Sequence, residues 1–280
     1  MSKDHPGEFD IYFGPQFGQL QYWRDVWQYR GLLYFLAWRD ILVRYKQTVI
    51  GIAWSLLNPF FFMVVFTVIF SRIGKFPTEG ETPYPILVFA ALIPWQLFSS
   101  ALTQSSKSLV ENAQMVSKIY FPRILVPLGS VVVSLVDFLI SLGLLVLMMI
   151  WYQWNPGWRV LALPFFLVLA VMAALSIGAW LSALNVKYRD FHYIIPFLLQ
   201  IGLFTSPVGF TSSVIPEKWR FLYSLNPMVG VIDGFRWCLL KGEAKLYVPG
   251  LLLSIGLVLI FLWSGMRYFR RTERTFADFI

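Results

Sequence analysis

The run ILVPLGSVVVSLVDFLISLGLLVLMMIW, from Ile124 to Trp151, carries one charged side chain, Asp137, and otherwise presents hydrocarbon. A helix crosses a bilayer core with roughly 20 apolar residues, so this run is long enough to span. The pattern repeats outward in both directions. Apolar stretches near residues 49–70, 84–104, 124–151, 160–184, 194–210 and 247–267 take up most of the 280 residues. Hydrophobic residues make up 58% of the chain and mean hydropathy is +0.64, against about 45–50% apolar in soluble domains. A water-soluble fold is excluded. Backbone amides in hydrocarbon must be satisfied inside a helix or a closed barrel, and the runs lack the two-residue alternation of barrel strands. The expected fold is an all-α integral membrane protein with six transmembrane helices. Residues 1–280 form one domain, because no polar stretch is long enough for a second.

The formal charge of +8 does not point to nucleic acid, because the charges sit at the ends of the apolar runs rather than on one polar face. Placing the amino end inside puts Lys3, Arg24, Arg30, Arg39, Arg44, Lys46, Lys107, Lys118, Arg123, Lys187, Arg189, Arg267, Arg270, Arg271 and Arg274 on the cytoplasmic side. That is most of the 23 basic residues, as the positive-inside rule requires, and an even span count puts both termini in the cytoplasm. Met1 to Gly14 lack a basic patch followed by an apolar core, so no cleaved signal is expected. Cys238 is the single cysteine, which excludes an internal disulfide and a cysteine-cluster metal site. His5 in the tail and His192 in a short loop build no metal centre either. No nucleophile or paired-carboxylate constellation marks a catalytic site.

Residues 24–47 mix apolar and basic side chains at helical intervals and read as an amphipathic helix in the inner interface. It serves either as an anchor or as a recognition surface, in which Arg24, Arg30, Arg39, Arg44 and Lys46 meet the phosphate of a lipid-linked substrate at the inner mouth. Asn58-Pro59 and Pro94 loosen the first two spans. Asp137 lies near mid-span, where an ionised carboxylate must face protein or water; a bond to a neighbouring helix and a transport role are both open. Trp54, Trp95, Phe98, Phe204 and Phe210 lie within spans, either lining a path for sugar rings or packing between helices. Residues 211–246 are too polar for a full crossing, and Asp233 and Arg236 share a helical face. A pair of short re-entrant helices in the outer leaflet fits this segment, with a surface helix as the alternative.

Three patterns together resemble the permease subunits of type-two ATP-binding cassette exporters of O-antigen, capsular polysaccharide or teichoic acid. The first is Arg44-Tyr45-Lys46-Gln47-Thr48-Val49-Ile50-Gly51-Ile52-Ala53-Trp54 with Leu57-Asn58-Pro59. The second is Lys187-Tyr188-Arg189-Asp190, then Pro196, then Ser206-Pro207-Val208. The third is Asn226-Pro227 followed by Arg236. The resemblance implies a homodimer in the bacterial inner membrane, partnered by two separate ATPase subunits that hold ATP and Mg. This chain has no G-x-x-x-x-G-K-[ST] loop of its own and needs no cofactor. Loops that insert into the ATPase would be Leu109 to Arg123, with Glu111, Lys118, Tyr120, Phe121 and Arg123, and Val186 to His192, with Tyr188, Arg189 and Asp190. The re-entrant pair becomes an outer gate that includes Asn226, Asp233 and Arg236.

The function so implied is export of a lipid-linked polysaccharide through a channel between two copies. The alternative is a type-two exporter of a drug or small lipid. An ion-coupled secondary transporter would show internal repeats and several intramembrane carboxylates, and neither is present in the sequence.

Overall fold

The computed structural model describes residues 19–46, 51–76, 78, 80–241 and 244–276. Gln47, Thr48, Val49 and Ile50 of the first pattern, and residues 1–18 of the tail, lie outside them. Among the described residues every regular element is helical. Residues 24–47, read above as one interface helix, are two: α1 (Gln19–Gln28) and α2 (Arg30–Lys46), which meet at Tyr29. The spans follow as α3 (Gly51–Phe66), which loosens into a π-helical stretch over Thr67–Ile73, and α4 (Tyr84–Glu111). Next come short α5 (Ala113–Lys118), then α6 (Leu125–Trp151) and α7 (Leu163–Lys187), with a 3-10 turn at Trp158–Ala162 before α7. Then α8 (Phe191–Thr205), α9 (Glu217–Tyr223), α10 (Pro227–Leu239) and α11 (Val248–Thr272) complete the order.

Among the described residues five helices are long and apolar enough to cross a membrane: Ala53–Ile73, Tyr84–Glu111, Leu125–Trp151, Trp158–Lys187 and Val248–Thr275. The chain is a multi-pass membrane protein. The stretch 194–210 yields a helix of only 15 residues, α8, a rise of about 22 Å. It stops at Thr205 because Pro207 disfavours a helical conformation at Ser206, which is extended. Residues 211–246 form a 3-10 turn and two short helices, α9 and α10.

The bundle is organised around α4. Ile86 to Ile93 are all but inaccessible, and both α6 and α7 pack on α4. Without a hydrophobic drive between helices in lipid, close packing needs small residues at the contacts. Ala90, Ala91, Ala101, Ala170, Ala173 and Ala174 supply them. The tightest approaches require glycine. A Cβ on Gly234 of α10 would lie 2.0 Å from the Phe166 ring of α7, and one on Gly265 of α11 would lie 2.6 Å from the Ser176 carbonyl. Several buried serines return their hydroxyls to their own helix, as Ser105 does to Leu102 and Ser176 to Ala173. Asn185 instead crosses from α7 to donate to the Ser106 carbonyl at 2.9 Å.

A second apolar core lies at the end of the bundle where most basic residues gather. Leu36 of α2, Leu109, Val116 and Phe121, Ile124 at the foot of α6, Val186 of α7 and Phe269 and Phe276 meet there. Around it the expected loop from Leu109 to Arg123 is mostly helical, because α4 runs on to Glu111 and α5 follows.

Candidate functional site

Along α4 nearly every residue from Ile86 to Leu109 is buried except Gln96, Ser99, Ser100, Thr103, Gln104 and Lys107. These recur at three- and four-residue intervals and so form one stripe. The most enclosed helix of an apolar bundle thus leaves open only its polar face. The stripe walls a cavity of about 450 Å³ bounded by α3 and α6, which contribute Trp54, Ser55, Asn58, Ser134, Asp137 and Ser141. Within it Gln104 Nε2 donates to Ser100 Oγ at 2.8 Å and to Ser134 Oγ at 3.3 Å, and Ser134 Oγ donates to Ser100 Oγ at 3.2 Å. Such a surface cannot face lipid tails without losing its bonds to water. A second cavity of about 560 Å³ shares Arg44, Thr103 and Gln104 with the first and continues past Lys107 to Glu111 and Arg39. The polar path therefore runs from mid-bundle to the basic end.

Asp137 sits where these cavities meet α2 and α3. Arg44 Nη2 lies 2.7 Å from its carboxylate, the Tyr45 hydroxyl donates to it, and Ser55 Oγ donates at 3.2 Å. Burial, followed by the Asp137 contact, pushes the Tyr45 hydroxyl up to about 12, so it remains a proton donor. Arg39 is also engaged, with Asp40 at 2.7 Å and with Asn112 Oδ1 at 2.7 Å. Arg30 lies over the Trp27 ring at 5.2 Å. Arg24, Arg30 and Lys46 remain exposed.

The aromatic candidates separate. Trp54 is exposed and lines the polar cavity. Trp95 and Phe98 are buried; Trp95 packs so closely on Gly202 of α8 that a Cβ there would lie 2.7 Å from its ring. Phe204 stacks on Phe66 at 6.1 Å, and Phe210 meets Phe70 and Phe76 at 6.5 and 6.3 Å. The sequence reading missed Phe66, Phe70 and Phe76, since phenylalanine in an apolar span carries no distinguishing signal.

At this aromatic end the second and third sequence patterns converge on residues 206–210. Arg236, 1% exposed, donates through Nη2 to the Val208 carbonyl at 2.9 Å, through Nη1 to Phe210 at 2.7 Å, and through Nε to Leu87 at 3.3 Å. Asn226 Nδ2 donates to Ser206 Oγ at 2.9 Å while its Oδ1 caps α10 by accepting from Met228. The Tyr84 hydroxyl donates to the Gly209 carbonyl at 2.6 Å. Asp233 accepts from Ser212 at 2.8 Å. A guanidinium suits three diverging carbonyls because its donors form a rigid planar fork.

The candidate coupling residues form two patches. Glu111 and Arg189 line one small cavity of about 250 Å³ with Lys107 and His192. Beside it, Tyr188 is exposed under the Lys187 ammonium at 5.1 Å, and Asp190 is exposed ahead of α8. Tyr120, Phe121 and Arg123 line a separate groove of about 560 Å³ together with Tyr22 and Glu273. Tyr120 is 74% exposed, Phe121 is buried, and Lys118 is exposed at the end of α5. Glu273 holds this loop: its Oε1 accepts from the Arg123 amide at 2.6 Å, its Oε2 accepts from the Tyr22 hydroxyl at 3.1 Å, and its carbonyl accepts from the Arg123 guanidinium. Burial and then the Glu273 carboxylate raise the Tyr22 hydroxyl well above its ordinary value. Neither Tyr22 nor Glu273 is legible as a site residue in sequence. The α4 stripe was missed as well, although the spacing of its Ser, Thr and Gln residues along one helical face is a signal that could have found it.

The chain is similar along most of its length to proteins of named function. It is 29% identical over 260 residues to an O-antigen export system permease protein RfbA of Myxococcus xanthus, covering 92% of this chain and 98% of that protein. It is 27% identical over 251 residues to an O-antigen export system permease protein RfbA of Klebsiella pneumoniae, covering 89% and 95%. The sequence pattern of the ABC-2 type transporter family matches residues 31–240, which take in the polar stripe, the Arg236 anchor and the candidate coupling residues from Glu111 to Asp190 but neither Tyr22 nor Glu273, and the chain belongs to that family.

Proposed function

We propose that this chain is the transmembrane subunit of an ATP-driven exporter that carries an O-antigen-like, lipid-linked polysaccharide out across the bacterial inner membrane. The observation that carries the reading is the near full-length likeness to two export permeases of that kind. The α4 stripe supports it chemically. From Gln96 to Gln104 its hydroxyl and carboxamide groups, uncharged until Lys107, exchange hydrogen bonds with a polyol and hold no single residue of it tightly, which suits a moving chain.

Two copies form the channel, each with one separate ATPase subunit that binds ATP and Mg. The fit rests on the open side of the polar cavity and on two sparsely covered neighbours. Only 17% of the apolar window of α3 is buried, and Ile195 is the one buried residue of α8. A second copy packed there would shield the polar stripe from lipid. In this arrangement α8 with residues 206–210 makes the sixth span, α9 and α10 dip into the outer leaflet as the gate, and both termini are cytoplasmic. The exposed cations Arg24, Arg30 and Lys46 meet the carrier's phosphate, and the two coupling patches seat the ATPase. The test is removal of the gene from a host that makes such a glycan. Loss of surface glycan with intracellular accumulation is expected. Normal display, with loss of resistance to a drug instead, would favour the alternative cargo.

A further inference from the structure

At the foot of α11, Arg267, Arg270 and Arg271 recur at i, i+3 and i+4 and so share one face, and Arg274 follows in the 3-10 turn Glu273–Thr275. With Trp23 of α1 they line a groove of about 650 Å³ that continues back along α11 over Leu259, Leu262 and Trp263. The lining contains no carboxylate. Arg267 and Arg271 are exposed, and among the described residues neither is paired with an acid. Their neighbours hold the guanidinium groups in place: Arg267 lies over the Trp263 ring at 5.5 Å, and Arg270 lies over the Tyr22 ring at 4.6 Å.

We propose that this groove is a binding site for an anionic phospholipid carrying two phosphates, of the cardiolipin type. The cationic half takes the phosphates. The apolar half, with exposed Leu259 and Trp263, takes the acyl chains, which a free phosphate ion would leave bare. Arg267 and Arg271 lie about 6 Å apart along the helix, and together with Arg270 and Arg274, which also border the groove that holds Glu273, they offer more donors than one phosphate needs. The groove is separate from the polar path, since none of its lining residues borders either polar cavity. A resident lipid therefore fits it better than cargo. Lodged there, the lipid clips α1 to α11 beside Tyr22, whose hydroxyl reaches Glu273 and thus the Arg123 loop. The proposal goes beyond the export reading and does not depend on what is carried.

The test is native mass spectrometry and titration of the purified full chain in nanodiscs with tetraoleoyl cardiolipin, dioleoylphosphatidylcholine or inorganic phosphate. The expected result is selective retention of cardiolipin, which millimolar inorganic phosphate does not displace. The pair Arg267→Gln with Arg271→Gln weakens retention by about thirtyfold. A matched loss of charge at the same end, Lys118→Gln with Lys187→Gln, leaves retention within threefold, roughly the change of one weak contact. Equal retention of phosphatidylcholine, displacement by phosphate alone, an unaffected arginine pair or an equal effect of the lysine pair would each overturn it. Should the arginine pair not fold, brominated-chain cardiolipin decides on the otherwise native chain. Quenching that vanishes in Trp23→Phe with Trp263→Phe supports the site, and unchanged quenching rejects it.

Discussion

Arg44 and Asp137 lie 2.7 Å apart, which joins a helix read from sequence as a headgroup-binding surface to the lone carboxylate of the third span. The same residue therefore serves two ends: it neutralises a charge in the bundle and forms part of the mouth of the polar path. Asp137 side-chain exposure is 17% and that of Arg44 is 38%, so the pair is partly screened and falls short of the several kcal/mol lost when a fully buried pair is broken. Asp137→Ala and Arg44→Ala should each destabilise the protein by about 1–2 kcal/mol, with a coupling of about 1 kcal/mol in the double-mutant cycle. Thermal unfolding in lipid nanodiscs measures this, and strictly additive losses would mean the contact carries no energy.

Arg236→Lys should behave almost as badly as Arg236→Ala. Lysine keeps the charge but offers no planar fork, so at least one of the carbonyls of Leu87, Val208 and Phe210 loses its donor at a cost of about 1–3 kcal/mol. Both variants should lower protein yield and surface glycan together. Full export by Arg236→Lys would show that charge, not geometry, holds residues 206–210.

Filling the polar path should block transport without unfolding. Ser100→Leu with Gln104→Leu replaces the hydroxyl and carboxamide network by apolar bulk in a half-open cavity. The ATPase complex should still assemble, with surface glycan reduced on the order of tenfold, equivalent to about 1.4 kcal/mol against passage. Wild-type glycan levels in this variant would move the path elsewhere.

Gly234→Ala should destabilise the contact of α10 with α7 by about 1–3 kcal/mol, the range for overpacking a well-filled site. Its Cβ has no room beside Phe166. Combining it with Phe166→Leu should recover part of the loss in a thermal melt, whereas no recovery would place the strain at another neighbour.

Glu273→Ala should separate ATP turnover from export. Removing the carboxylate leaves the Arg123 amide and the Tyr22 hydroxyl without their acceptor and frees the loop bearing exposed Tyr120. Complexes should hydrolyse ATP at near-normal rates and export several-fold less, while Glu273→Gln, which keeps an acceptor oxygen, recovers part of the export. Parallel loss of both activities in Glu273→Gln and Glu273→Ala would indicate a purely structural role.

Length and polarity of the apolar runs determined that the chain is helical, multi-pass and organised with its basic residues at the span ends. These are properties of single helices in lipid, where each segment satisfies its own backbone. The three sequence patterns were also visible, but not what they touch. Tertiary packing brought Asn226 and Arg236 onto residues 206–210, split the candidate coupling residues into two patches, and brought Tyr22 and Glu273, far apart in sequence, together beside one of them. It also set Trp95 and Phe98 in the core while leaving Trp54 on the polar cavity. Helical periodicity states which residues share a face, but which face meets a neighbour depends on where small residues let helices approach. That is a property of pairs of segments and not of either one alone.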